Sequence, residues 1–90
     1  MRKIIKADGA EVLLDRPHSI TQISALLDST ALDTVTLADG LVMLVDDQGY
    51  DKGLPVNETA SALYHARCRP GTTHMIVGDV AIVPDADFGG

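Results

Sequence analysis

The sequence predicts a small α+β domain in which a mixed or antiparallel sheet of four to six strands packs with two helices. Turn signals after residues 8, 39 and 47 separate short apolar segments, and two other stretches carry apolar residues at helical spacing. The 90 residues are 46% hydrophobic and contain no tryptophan, so the expected core is aliphatic. This length fits one domain, which we assign to residues 1–84, and the Asp- and Gly-rich residues 85–90 are expected to form a flexible tail.

The first part of the chain predicts a hairpin followed by a helix. Asp8-Gly9 is typical of a hairpin turn and lies between two apolar segments, the second of which is residues 12–14. Ser19 and Gln22 have the spacing of a capping box, which predicts that a helix begins there and ends near residue 28. The apolar face of this helix has four members: Ile20, Ile23, Leu26 and Leu27.

The second part predicts further strands around one more helix. Residues 34–37 are β-branched and alternating, and the continuous apolar run 41–45 indicates a central strand buried on both faces. Asn57 fits the N-cap of the second helix, since its side-chain oxygen can accept an unpaired backbone N–H. The apolar segments 75–77 and 80–83 flank a Gly-Asp pair, which predicts either a tight hairpin or one strand with a glycine bulge.

The net charge of −6 is unevenly distributed. Residues 28–58 hold seven acids and one lysine, whereas residues 59–78 hold two arginines and no acid. The acidic excess opposes contact with nucleic-acid phosphates, and no apolar run approaches the ~20 residues that cross a bilayer, so we expect neither nucleic acid nor membrane as a partner. The acidic block is either an ordinary solvated face or a surface for a basic partner protein. The single Cys68 cannot form an internal disulfide, which favours a reducing, cytoplasmic setting.

Two motifs carry a resemblance to a known family. Gly-Leu-Pro-x-Asn-x-x-Ala-x-x-Leu-Tyr occupies residues 53–64, and Ile-Val-Gly-Asp-Val-x-Ile-Val occupies residues 76–83. With the strand and turn at residues 42–49, the second half of the chain resembles a small family of unknown function found mostly in short proteins of phages, plasmids and their bacterial hosts. The resemblance implies an α+β fold and an accessory role in a mobile element, and it implies no activity and no catalytic residues.

The loop at residues 67–74 is the candidate ligand site. It gathers guanidinium groups, hydroxyls and a glycine, which are the groups that proteins use to hold phosphate. The start of the second helix would add backbone donors if the fold brought it near. Our candidate ligand-binding residues are Asn57, Tyr64, Arg67, Arg69, Thr72, Thr73 and His74. The alternative is an ordinary connection whose arginines complement the helix dipole.

Catalytic and metal-binding arrangements are weaker in this sequence. Cys68 lies between two arginines, with His65 and His74 as candidate bases, but no third group is evident to orient a base. As possible metal ligands, His65, Cys68, His74 and Asp79 match no spacing of a structural zinc site. We therefore expect no metal, cofactor or catalytic residue. We therefore predict a non-enzymatic binding module for a basic host protein or a phosphate-bearing ligand, with a small enzyme using Cys68 or His74 as the alternative. The open edges of a small sheet also make a homodimer a candidate assembly.

Overall fold

The computed structural model describes residues 2–68, 71 and 73–88 of the chain. The elements in chain order are β1 (Lys3–Ile5), β2 (Glu11–Leu13), α1 (Ile20–Leu26), β3 (Leu32–Thr36), β4 (Leu41–Asp46), α2 (Glu58–His65), β5 (Val80–Pro84) and a 3-10 helix (Asp85–Phe88). The five strands form one sheet in the order β2-β1-β5-β4-β3, and each neighbouring pair is antiparallel. The predicted α+β fold, with an antiparallel sheet and two helices, is confirmed.

Two local hairpins supply four of the strands. In the first, the Lys6 N–H donates to the Ala10 carbonyl across a turn in which Gly9 has a φ of 95°. In the second, the Leu37 N–H donates to the Leu41 carbonyl across a turn in which Asp39 and Gly40 both have positive φ. In both hairpins the loop has three residues, and the Asp-Gly pair provides the positive φ that the turn requires. Strand β5 lies between the two hairpins and joins them.

The core has two layers because one helix packs on each face of the sheet. Along β4 and β5, successive side chains point to opposite faces, as the twofold period of a strand requires. The layer on the α1 side contains Ile4, Ile23, Leu27, Val42, Leu44, Ala81 and Val83. The layer on the α2 side contains Ile5, Leu37, Met43, Ala60, Ile76, Val80 and Ile82. The prediction that residues 41–45 form a strand buried on both faces is therefore confirmed at its centre, from residue 42 to residue 44.

Both helix starts form as the sequence predicts. The Gln22 N–H donates to Ser19 Oγ at 3.1 Å, and the Ser19 N–H donates to Gln22 Oε1 at 2.9 Å, which completes the capping box of α1. Asn57 caps α2 by accepting the Ala60 N–H at 3.0 Å. Helix α1 ends at Leu26, slightly before the predicted end, and the left-handed φ of 52° at Asp28 prevents its continuation.

The segment before β5 departs from both predicted alternatives. Residues 75–77 form neither a hairpin with residues 80–83 nor the first part of a bulged strand. Among the described residues, their one ladder contact is an isolated bridge from Val77 to Val56. The Gly78 N–H donates to the Pro55 carbonyl at 2.8 Å, so the segment follows the lead-in to α2 instead of the sheet. Gly78 has a φ of 78°, and a Cβ there would lie 2.7 Å from Cδ1 of Leu54. A distant contact therefore turns the chain before it enters β5.

The end of the chain is tied to its beginning. The Asp87 carboxylate accepts two hydrogen bonds from the Arg2 guanidinium, at 2.8 and 2.9 Å. These bonds are the main reason that the pKa of Asp87 lies below its ordinary value. Residues 85–88 of the predicted tail form the 3-10 helix, and residues 89 and 90 lie outside the described residues. In the described part of the chain, no helix has the length and apolar character needed to cross a membrane.

Candidate functional site

The structure brings together the C-terminal end of α2 and the segment that follows the predicted ligand loop. The Tyr64 and His74 rings meet edge to face with centroids 5.9 Å apart. The ring of His65 donates from Nε2 to the His74 carbonyl at 2.6 Å, which fixes the segment against the helix. Arg67 and Thr73 are exposed at this end, while Arg69 and Thr72 lie outside the described residues.

Asn57 lies at the opposite end of α2, and its side chain is buried. The amide donates to the Ile5 carbonyl at 3.0 Å and to the Gly78 carbonyl at 2.9 Å, while its oxygen caps the helix. Tyr64 lies seven positions further along the helix, a rise of about 10 Å. Since both amide hydrogens are bonded and the residue is 0% exposed, we assign Asn57 to the fold and leave it out of the site.

A groove of about 220 Å³ opens where β3 begins and β4 ends, beside the segment that contains His74. We call it the acidic groove. Its lining residues are Asp33, Val45, Asp46, Asp47, Tyr50, His74, Met75, Ile76 and Val77. The Tyr50 hydroxyl donates to the Met75 carbonyl, and its ring lies 5.3 Å from the His74 ring, so an aromatic pair borders the groove. The groove thus combines carboxylates, aromatic rings and apolar side chains.

Two of the three carboxylates in the groove are available to a ligand. Asp33 and Asp47 are exposed, and neither takes part in an ion pair among the described residues. Asp33 accepts the Thr34 N–H at 2.8 Å through Oδ1. The hairpin register places Asp33 opposite Val45, and Asp47 follows two positions later on the same face, so these carboxylates are diagonal neighbours about 7–8 Å apart at Cα. Two negative charges therefore meet at one end of the groove.

Asp46 is neutralised within the protein. Its side chain is only 3% exposed, and the ammonium group of Lys52 lies 2.6 Å from Oδ2. Burial raises the pKa of Asp46, but the hydrogen bonds from Lys52, the Gln48 N–H and Ser29 outweigh that effect and hold it below its ordinary value. Lys52 also donates to the Asp28 carbonyl at 3.0 Å. Lys52 is therefore committed to this structural network and does not neutralise the two exposed carboxylates.

Cys68 lies just beyond α2 and contacts Tyr64. A hydrogen bond between the two side chains is the main cause that raises the pKa of Tyr64 above its ordinary value. The thiol is half-buried and is the free cysteine of the chain. Within the described ranges, no group of three or more His, Cys, Asp and Glu side chains is arranged to hold a metal ion.

Sequence reasoning missed three residues of the groove, namely Asp33, Asp47 and Tyr50. In the sequence, the Asp-Asp pair at the end of β4 is typical of a turn, and Tyr50 is typical of an isolated surface residue. The signal that could have found the carboxylates is the register of the second hairpin, because pairing through the Asp-Gly turn sets Asp33 beside the end of β4. Tyr50 carries no comparable signal, since its contact with residues 74 and 75 is made 24 and 25 positions away.

Comparison of this chain with protein-family models, with curated proteins and with solved structures finds no match. The resemblance to the phage and plasmid family therefore stays a prediction. The chemistry of the acidic groove is the remaining guide to function.

Proposed function

We propose that the protein is a non-enzymatic binding module whose acidic groove accepts a lysine or arginine side chain of a protein partner. The observation that carries this proposal is the pair of exposed carboxylates, Asp33 and Asp47, which form no ion pair within the described part of the chain and lie beside the exposed ring of Tyr50. A guanidinium or ammonium group is the chemical complement of that arrangement. Carboxylates bind it through charge-assisted hydrogen bonds, and an aromatic face attracts it further.

The size and lining of the groove favour a single side chain as its occupant. Pockets for drug-sized molecules are about 300–1,000 Å³, whereas this groove measures about 220 Å³. The aliphatic stem of lysine or arginine can lie along apolar residues while the charged head reaches a carboxylate. Val45 and Ile76 supply such apolar contacts beside the carboxylates.

The same geometry disfavours the phosphate-bearing ligand. His74, a member of the predicted phosphate loop, lines the groove together with Asp33 and Asp47, whose charges would repel a phosphate. Both carboxylates belong to the block from residue 28 to residue 58, which carries a local charge of −6. A basic protein is attracted by that field at low ionic strength, and the field weakens as salt screens it.

The biological setting follows from sequence features. The resemblance supports an accessory role in a mobile element, with a basic host protein as the partner. The single Cys68 supports work in a reducing compartment such as the cytoplasm. We propose no reaction for Cys68 or His74, because the His74 contacts described above are made by its ring stacking and its backbone carbonyl.

The test is a titration with a minimal cationic ligand, in which NMR monitors the chemical shifts of the backbone amides. The probe is acetyl-Gly-Arg-Gly-amide, and its citrulline analogue has the same shape without the charge. We expect the arginine peptide to shift the amides of residues 33, 45–50 and 74–77, and the citrulline peptide to bind at least about fivefold more weakly, since losing one partly exposed charge pair costs ~1 kcal/mol.

Matched variants assign the binding to the groove. Asp33→Asn and Asp47→Asn should each lower the affinity for the arginine peptide about fivefold. The control, Asp39→Asn, removes an equal charge at the other end of the hairpin and should change this affinity little. Equal weakening by all three would indicate a diffuse field without a groove. Equal binding of both peptides would refute the proposal, and a phosphate-induced shift abolished by Arg67→Ala would return the function to the anion loop.

A further inference from the structure

The edge strand β2 has a free side that no other described element covers. The Leu14 N–H donates to the Arg2 carbonyl and the Lys6 N–H donates to the Ala10 carbonyl, both at 2.8 Å. Because alternate residues of an antiparallel strand face the partner, the backbone groups of Val12 point to β1. Those of Glu11 and Leu13 therefore point away from the sheet. All three residues of β2 are exposed.

The side chains of this edge are apolar on both faces of the sheet. Leu13 is 76% exposed on the α2 side, and Val12 is 45% exposed on the α1 side. Edge strands of proteins that stay apart are normally protected by charges, prolines or bulges. The one acid of β2, Glu11, is paired to Lys3 of β1 at 2.6 Å, so its charge is already neutralised.

The opposite edge of the sheet shows the protection that β2 lacks. The hydrogen bonds from the Leu37 N–H to the Leu41 carbonyl and from the Asp47 N–H to the Ala31 carbonyl set the alternation of β3, in which the backbone groups of Thr34 point outward. There the Asp33 carboxylate accepts the Thr34 N–H at 2.8 Å, which occupies an outward donor and places a negative charge on the edge. The two edges of one sheet thus differ in their readiness to pair.

We propose that two copies of this chain pair through β2, antiparallel about a twofold axis at Val12. In that register Glu11 of one copy lies opposite Leu13 of the other, and the two pairs exchange backbone hydrogen bonds. The two Val12 side chains meet on the axis at a non-hydrogen-bonded position, where β-branched pairs pack closely. The result is one continuous sheet of twice the width.

Charge favours a second copy as the occupant. Residues 1–18 hold four basic and three acidic residues, a local charge of +1, whereas residues 28–58 carry −6. Two molecules of net charge −6 repel each other through their acidic surfaces, whereas β2 lies in a segment of small net charge, where the repulsion between two copies is weak. Paired this way, the acidic grooves lie at the two outer edges of the joined sheet and remain open.

The test is the molar mass of the intact chain in solution, measured by sedimentation velocity from about 10 μM to 1 mM because three-residue strands give a small interface. We expect a concentration-dependent dimer. Val12→Lys places two lysines face to face on the axis and should reduce the dimer fraction at least tenfold, as should Val12→Glu. Mixing the two variants sets a lysine opposite a glutamate and should restore a dimer.

Thr36→Lys at the protected edge is the matched control and should leave the wild-type dimer unchanged. For each variant, a melting temperature close to that of the wild type shows that the substitution leaves the fold intact. A chain that stays monomeric at 1 mM overturns the proposal, as does a dimer that survives Val12→Lys. A mixture of the lysine and glutamate variants that stays monomeric overturns the on-axis register.

Discussion

A large effect on stability is expected at Asn57, which is fully buried. Replacing it with alanine removes an N-cap, which is worth about 1 kcal/mol. It also leaves the Ile5 and Gly78 carbonyls without their donor in a region that is fully buried, at about 1–3 kcal/mol each. Water reaching either carbonyl would reduce the total, so we expect Asn57→Ala to destabilise the protein by about 3–5 kcal/mol.

That loss is large for a chain of this length. At roughly 0.05–0.15 kcal/mol per residue, the whole domain has a free energy of unfolding of about 5–13 kcal/mol. Urea unfolding at 25 °C measures the difference directly, and the melting temperature should fall by at least about 15 °C. Both quantities are accessible with circular dichroism, since the two helices give a far-ultraviolet signal.

Two comparison variants separate the cap from the two buried bonds. Ser19→Ala removes an exposed N-cap at the start of α1 and should destabilise the chain by only about 1 kcal/mol. Asn57→Ser keeps a capping oxygen but loses both donors, so it should remain close to Asn57→Ala. If Asn57→Ala were no worse than Ser19→Ala, the reasoning that the Ile5 and Gly78 bonds stabilise the fold would be wrong.

Two further predictions concern the loop after β4 and the turn before β5. In urea unfolding, Gly78→Ala should destabilise the fold by about 2–4 kcal/mol, because the new methyl group sits at a φ of 78° and meets Leu54. The control is Gly53→Ala, at a φ of 68° with open space around it, which should show only the backbone cost of about 1–2 kcal/mol. Lys52→Met should destabilise the chain by about 1 kcal/mol at pH 7 and by progressively less as the pH falls through the folded-state pKa of Asp46. That pKa is lowered, so the stabilisation is fully present above the unfolded-state value of about 4 and is lost as the pH falls through the folded-state value; a destabilisation that does not diminish during an acid titration would contradict the ion pair.

The local parts of the fold could be predicted because neighbouring residues encode them. The Asp-Gly turns, the Ser19 capping box and the Asn57 cap each depend on contacts within a few positions, and each forms. The departure at residues 75–77 depends on distant partners, since Leu54 and Pro55 direct the chain around Gly78. Periodicity within a short apolar segment contains no information about such partners.

The candidate site was harder to predict because the fold assembles it from separate segments. The sequence singles out the stretch around His74, and in the structure Tyr64 lies beside it. The carboxylates that face His74 come from β3 and from the end of β4, so they could be found only with the strand register. Asn57 is predicted as a site residue because its role as a helix cap is local and visible in the sequence. Its amide, however, donates to carbonyls 52 and 21 positions away in the chain, and these bonds hold the side chain inside the fold.

The order of the strands also determines when the fold can form. Strand β5 is the last strand in the chain and the middle strand of the sheet, and it pairs with both β1 and β4. A nascent chain that has not yet reached residue 80 lacks the strand that joins the two hairpins, and isolated hairpins are at best marginally stable in water. The pairing of Lys3 with Ile82 closes a loop of nearly the whole chain, which makes this step slow compared with the hairpins. During synthesis, the apolar edges of β1 and β4 therefore stay open until the final strand leaves the ribosome, so the chain depends on late completion to avoid pairing with its neighbours.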